Sequence, residues 1–243
     1  MKRRNKVNTV SENYSHIATI ESPLSVSAEA YRRVKVALEY SDIDKNIQVI
    51  QVCSALQGEG KTTTALNLAA AYAENGKKVI VVDMDFRRAK LHRVFKVENK
   101  NGLIDVIAKK IELKDAIKSK EGYSFDLINR GTKTPYPSAI LSSSELVKVV
   151  EELRTMYDYI LIDCPPVLAV SDAIAISKLT DGCIFIVSHK VTEKTAAKEA
   201  IKALKANKVN VLGCVVTGLN KKSKDYYNGK YQYYFQSYNS DKK

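Results

Sequence analysis

Ile47-Gln48-Val49-Ile50-Gln51-Val52-Cys53-Ser54-Ala55-Leu56-Gln57-Gly58-Glu59-Gly60-Lys61-Thr62-Thr63 runs from a β-rich apolar stretch, through a turn holding two glycines, into helix formers that continue to about Asn75 and stop near Gly76. Strand, loop and helix in that order are the setting in which Gly-x-Gly-Lys-Thr reads as a phosphate-binding loop of the Walker A kind rather than as a structural glycine turn. Gly58 and Gly60 allow backbone N–H groups to wrap phosphate oxygens, and the amino end of the helix adds its partial positive charge. Lys61 then reaches the β- and γ-phosphates of ATP, and Thr62 supplies a hydroxyl ligand to Mg2+. Glu59 and Thr63 stand in the same loop and are counted with the nucleotide-binding residues. Ala55 departs from the pattern, since such loops usually begin on glycine.

Outward from this unit the pattern repeats. Residues 78–83, 159–163, 183–188 and 211–217 are nearly continuous apolar runs, 125–129 is a weaker one, and helical periodicity fills 102–118, 143–156, 172–179 and 193–206. Strands lacking polar alternation are buried on both faces, and their alternation with helices predicts an α/β fold of the P-loop NTPase type: a doubly wound, mainly parallel sheet flanked by helices. A further amphipathic helix over 28–41, with Tyr31, Val34 and Leu38 on one face, is expected outside the sheet. Ligands of such sheets lie beyond the carboxyl ends of the strands, so the chemistry is expected in the residues just after each run.

Two runs end in carboxylates. One closes as Asp83-Met84-Asp85-Phe86-Arg87 and another as Ile162-Asp163-Cys164-Pro165-Pro166. A single aspartate at a strand end is as well explained by helix capping. Three converging on a phosphate loop predict a site: Asp163 holds Mg2+ directly or through water, and Asp83 and Asp85 share metal binding and acceptance of a proton from an incoming hydroxyl. Arg87 stands beside them as a catalytic candidate. Asn220, past the last run, can hydrogen-bond an adenine edge or serve as a turn residue.

The chain has 243 residues, enough for one substantial core, and is read as a polar, basic leader (1–22), one domain (23–220) and a tail (221–243). The net charge of +12 points to an anionic partner without choosing among nucleic acid, lipid and acidic protein. Much of the excess lies at the ends, where two solvated tails explain it equally well. No apolar run approaches the roughly 20 residues of a membrane span, the basic start lacks an apolar signal region, and a cytoplasmic location is expected. Cys53, Cys164, Cys183 and Cys214 lie in or beside apolar runs without a C-x-x-C pair and are expected as reduced core residues.

The Gly58-Glu59-Gly60-Lys61-Thr62 loop, the Asp83-x-Asp85-x-Arg87 strand end, the Asp163-Cys164-Pro165-Pro166 segment and a terminal tyrosine cluster together resemble the bacterial tyrosine kinases (BY-kinases) of capsule and exopolysaccharide synthesis, over about residues 20–238. That family is similar in fold to cell-division and plasmid-partition ATPases, whose signature lysine position is Leu56 here, favouring the kinase branch. Nothing resembles a eukaryotic-type kinase, because Asp85-Phe86-Arg87 is no Asp-Phe-Gly triad and a His-Arg-Asp loop is missing. The resemblance implies that Glu29, Arg32 and Lys35 mark a helix that builds a ring of subunits, with lysine standing where the family has arginine. Pro135-Tyr136-Pro137-Ser138-Ala139 also departs from the family's Pro-Asn-Pro-x-Glu.

Tyr226, Tyr227, Tyr231, Tyr233, Tyr234 and Tyr238 crowd the tail. On their own they suit a stacking surface for single-stranded nucleic acid or a last strand. The resemblance makes them phosphoacceptors, phosphorylated between subunits, and no nucleic-acid partner is expected. It further implies a transmembrane activator, a polysaccharide chain-length regulator with a cytoplasmic docking segment that recruits the protein to the inner face of the plasma membrane, together with a cognate tyrosine phosphatase. Two other functions fit the same motifs: a partition-type ATPase switch acting on DNA or membrane, and a nucleotide-gated scaffold with negligible turnover.

Overall fold

The computed structural model describes residues 17–41 and 46–219; Asn220 and the six tail tyrosines lie outside the described residues. Strands β1 (Val49–Ser54), β2 (Val79–Asp83), β3 (Ile117–Lys118), β4 (Asp126–Ile128), β5 (Tyr159–Asp163), β6 (Gly182–Ser188) and β7 (Val211–Thr217) form one sheet ordered β3-β4-β2-β5-β1-β6-β7. Every pairing is parallel except β3 with β4. The helices are α1 (Ala18–Glu21), α2 (Val26–Ser41), α3 (Lys61–Ala73), α4 (Leu91–Phe95), α5 (Leu103–Ile107), α6 (Leu113–Ala116), α7 (Pro137–Leu141), α8 (Ser144–Met156), α9 (Asp172–Ile176) and α10 (Lys194–Ala206).

The unbroken apolar runs follow from helices covering both faces. Along β2, Val79 and Val81 pack with Leu66, Leu68 and Tyr72 of α3, while Ile80 and Val82 pack on the opposite face with Leu146, Val150 and Leu153 of α8. Successive side chains point to opposite sides, so both must be apolar. Helix α3 is buried at every position from Thr64 to Ala73, hence its alanine-rich sequence. The register sets Asp83 opposite Asp163 and Val52 beside Asp163, which brings the ends of β2, β5 and β1 together at one edge.

Three expectations need correction. The predicted helix over 102–118 breaks into α5, α6 and β3, because Lys109 takes a left-handed backbone (φ 56°) that turns the chain out of the helix. The leader expected over 1–22 is packed from Ile17 onward: Ile17 is 1% exposed, and Thr19 donates from its amide (3.1 Å) and hydroxyl (3.2 Å to the carbonyl) to Asn67 of α3. Cys214 is exposed rather than buried, since it lies on the edge strand β7.

The start of α5 is a tight backbone approach. A Cβ on Gly102 would fall 2.3 Å from the Asn129 carbonyl oxygen and 2.4 Å from the Gly131 nitrogen. Gly102→Ala is expected to cost about 3 kcal/mol in urea unfolding, because backbone rather than a flexible side chain must move. Gly122→Ala is the control. Its φ of +79° is strained for alanine but nothing lies within 4 Å, so about 1 kcal/mol is expected.

Candidate active site

A cavity of about 630 Å³ opens at the carboxyl edge of the sheet. One wall is the loop after β1 with the start of α3 (Gln57, Gly58, Gly60, Lys61, Thr62, Thr63), and another is the segment after β2 (Asp85, Arg87, Arg88, Lys90). Asp163, Pro165, Pro166, Leu168, Ala169 and Val170 close the third side. Its size lies in the ordinary range for small-molecule sites.

Gly58 (φ +83°) and Gly60 (φ +99°) both occupy the left-handed region that only glycine enters freely. Gly60 is also the N-cap of α3, and no side chain caps that helix. The opening amides of α3, which have no intrahelical partners, are therefore left to whatever fills the cavity. Lys61 Nζ donates to Ser54 Oγ at 3.1 Å, and Ser54 Oγ donates to the Leu56 carbonyl at 2.8 Å. Ser54 thus parks the lysine beside the loop.

Thr62 Oγ1 donates to Asp163 Oδ2 at 2.6 Å, while Asp163 Oδ1 is buried without a hydrogen-bond partner. Burial pushes the Asp163 carboxyl up to about 6, against the pull of the Thr62 hydroxyl and Lys61 and with the added repulsion of Asp85. A buried carboxylate with an orphaned oxygen beside a threonine hydroxyl is the arrangement a hard divalent cation satisfies. Among the described residues no group of three or more His, Cys, Asp or Glu side chains would hold a metal unaided, so remaining ligands must come from a bound nucleotide or water. The residues fit Mg-ATP.

The structure separates Asp83 from Asp85. Asp83 is fully buried and does not line the cavity; its Oδ1 accepts the Asp85 amide (3.2 Å), and its Oδ2 accepts the amides of Lys90 (3.0 Å) and Leu91 (3.1 Å). Burial and the neighbouring Asp163 push its carboxyl well above the usual range, partly offset by the Leu91 and Lys90 amides. Asp83 therefore braces the loop leading into α4, a role that accounts for it without substrate contact. Asp85 lines the cavity, where its Oδ1 accepts the Arg88 amide at 2.8 Å. The Arg88 guanidinium reaches across to Gln57 of the phosphate loop.

Arg87 lines the cavity too, held from behind by Asp172 at 2.9 and 3.2 Å in a bidentate pair whose aspartate is 2% exposed. Such a fork fixes the guanidinium plane. Sequence reasoning missed Asp172: it reads as an acidic residue in the first turn of a helix, and nothing local ties it to an arginine 85 residues earlier. Ser54, Gln57 and Arg88 were missed likewise. The run of Pro165, Pro166 and Leu168 was the legible signal, because an apolar segment following a strand-end aspartate has to cover something.

Two other groups of residues lie elsewhere. The Glu59 side chain turns away from the cavity into the protein, with Oε2 accepting the Leu56 amide at 2.7 Å, so only the backbone of Glu59 is available to a nucleotide. Arg32 forks onto Glu74 (2.8 Å twice) and donates to the Pro23 carbonyl (2.8 Å), with Glu29 3.6 Å away. Lys35 is 7% exposed and donates to Asn75 Oδ1 at 2.7 Å. Within one subunit, then, Arg32 and Lys35 dock α2 on the end of α3 instead of projecting outward. Asn220 and the tail tyrosines fall outside the described residues. No helix among them is long and apolar enough to cross a membrane.

A family model described as an AAA domain matches residues 47–211. Tyrosine-protein kinase YwqD of Bacillus subtilis is 34% identical, over 96% of this chain and 95% of its own. Tyrosine-protein kinase wzc of Salmonella typhi is 28% identical over 94% of this chain, which spans only 32% of that longer relative. Among solved structures, the kinase domain of Escherichia coli tyrosine kinase ETK matches with a TM-score of 0.82 and 28% identity, over 85% of this chain and 81% of that one. Likeness along nearly the whole of a relative one-third identical, on a sheet that carries the phosphate loop and carboxylates at the same edge, shows that the chain belongs to the bacterial tyrosine-protein kinase family.

Proposed function

We propose that the protein binds Mg-ATP in this cavity and transfers the γ-phosphoryl group to tyrosine hydroxyls, its own C-terminal cluster on a neighbouring subunit being the first acceptor. The observation that carries the reading is the facing of Lys61 and the uncapped α3 amides by Asp85 and the tethered Arg87 across a single cavity. The phosphate loop holds the triphosphate. Thr62 and Asp163 hold Mg2+, which when bound offsets phosphate charge. Asp85 accepts the phenolic proton as the tyrosine oxygen bonds to the γ-phosphorus and the bond to ADP breaks, and Arg87 and Lys61 balance charge on the phosphoryl oxygens. Asn220 is assigned to the adenine edge.

Charge favours a switch. The tail segment 221–243 carries six lysines against two aspartates, and each phosphate adds about −1.5 to −2. Several phosphates therefore reverse its sign, and repulsion between the like-charged tails of neighbouring subunits weakens assembly. By analogy with relatives, the protein regulates capsular or exopolysaccharide synthesis or export, recruited to the membrane by a transmembrane activator and reset by a tyrosine phosphatase. Ring assembly through α2 then requires Arg32 or Lys35 to release Glu74 or Asn75.

Asp83 and Asp85 provide the test. Asp85→Asn is expected to lower tyrosine phosphorylation by about 100-fold or more, with nucleotide affinity within about threefold of wild type, as loss of a general base predicts. Asp83→Asn should instead lower the melting temperature, since its oxygens hold three amides. Mass spectrometry of the tail after Mg-ATP incubation gives the first result and thermal melting the second. Full transfer activity in Asp85→Asn, or label appearing only as free phosphate in the wild type, would refute the assignment.

A further inference from the structure

Glu59 is 1% exposed and makes no cavity contact, yet it is held by three separate parts of the chain. Its Oε2 accepts the Leu56 amide at 2.7 Å and its Oε1 accepts the Thr192 hydroxyl. That same hydroxyl accepts the Ser188 amide at 2.7 Å. The Glu59 carbonyl accepts the Thr217 hydroxyl at 2.7 Å, and the methyl of Thr217 lies where a Cβ on Gly60 would meet it at 3.4 Å. One residue thus joins the loop after β1 to the β6–α10 connection and to the end of β7.

Glu59 sits between the two left-handed glycines, Gly58 and Gly60. Glycine loses more conformational freedom on ordering than any other residue, so a loop built this way is open to many shapes unless something outside it selects one. The selecting contact must not occupy the amides that face the cavity. Glu59 meets that condition, because its carboxylate binds an amide on the far side of the loop and its carbonyl binds a side chain of another strand. Its partners Thr192 and Thr217 are fixed to the sheet through Ser188 and β7.

We propose that Glu59 is a positioning residue, the clamp that keeps the phosphate loop wrapped in the ligand-free protein, with Thr192 as its anchor. The inference rests on the nucleotide reading above and deepens it. Removing the clamp leaves the loop to be ordered at the expense of nucleotide binding, which lowers affinity while leaving turnover at saturation comparatively intact.

The experiment titrates mant-ADP with Mg2+ against the full chain and its Glu59→Ala, Thr192→Val and Thr192→Ser variants. Glu59→Ala and Thr192→Val are expected to raise Kd about tenfold, with KM for ATP rising in parallel and kcat changing less. Thr192→Ser keeps the hydroxyl and is expected within about twofold of wild type. Hydrogen exchange of peptides spanning 55–61 in the ligand-free variants should accelerate while β1 and α3 stay protected. Wild-type Kd and unchanged loop exchange in Thr192→Val overturn the proposal, even if Glu59→Ala fails to fold. A Kd raised equally in Thr192→Ser and Thr192→Val also overturns it, because the hydroxyl would then not matter. A wild-type protein that binds no mant-ADP removes the nucleotide reading itself, and this inference with it.

Discussion

Lys61→Met is expected to leave the protein folded and to lower phosphate transfer to tyrosine by about a thousandfold or more, the scale on which loss of a group stabilising transferred phosphoryl charge is felt. The structure separates the two effects. Among the described residues the Lys61 ammonium makes one hydrogen bond, to Ser54 Oγ, and its stem is buried at 8% residual exposure. Methionine fills the same volume with an unbranched side chain, and Ser54 keeps its own bond to the Leu56 carbonyl, so no buried donor is orphaned. The melting temperature should move by only a few degrees. Label from γ-³²P-ATP on tyrosine, measured beside a thermal melt, checks both; more than about a tenth of wild-type labelling would place the phosphate contact elsewhere.

Asp163→Asn is expected to move stability and activity in opposite directions. The Asp163 carboxyl is pushed from its ordinary 3.8 up to about 6, so the native protein holds a proton there that the unfolded chain has already released. Stability therefore falls as pH rises from about 4 to about 6, and above that the ionised, buried carboxylate costs about 3 kcal/mol. Asparagine removes that cost and still accepts the Thr62 hydroxyl, while relieving the repulsion on Asp83. In urea with EDTA, Asp163→Asn should be more stable than wild type at pH 7.5 by up to about 3 kcal/mol, and nearly equal to it at pH 4. Its Mg-dependent nucleotide affinity should fall by about 100-fold. A variant less stable than wild type at pH 7.5 would show that ionisation of Asp163 does not carry this cost.

How much of this was legible in the sequence depended on whether the relevant contact was local. The strand, loop and helix around Lys61 are contiguous, and each segment carries its own period, so that unit could be read directly. The sheet followed because β1, β2 and β5 are covered on both faces and hence largely apolar before their terminal polar residues. What could not be read depends on partners distant along the chain. Asp83 and Asp85 are indistinguishable by type and spacing, and only the turn that returns the Lys90 and Leu91 amides to Asp83 sets them apart. The helix expected over 102–118 failed for a local reason of another kind, since Lys109 carries a left-handed backbone that lysine does not advertise. The same blindness hid the docking of Arg32 and Lys35 on Glu74 and Asn75, about 40 residues away.

Those last two bonds give α3 a mechanical character. Its first turn lines the cavity and the residues just past its end are bolted to α2, with 13 residues of helix, about 20 Å of stiff rod, between them. A rod so tightly packed ties the wall of the cavity to the seat of α2 through a single rigid element.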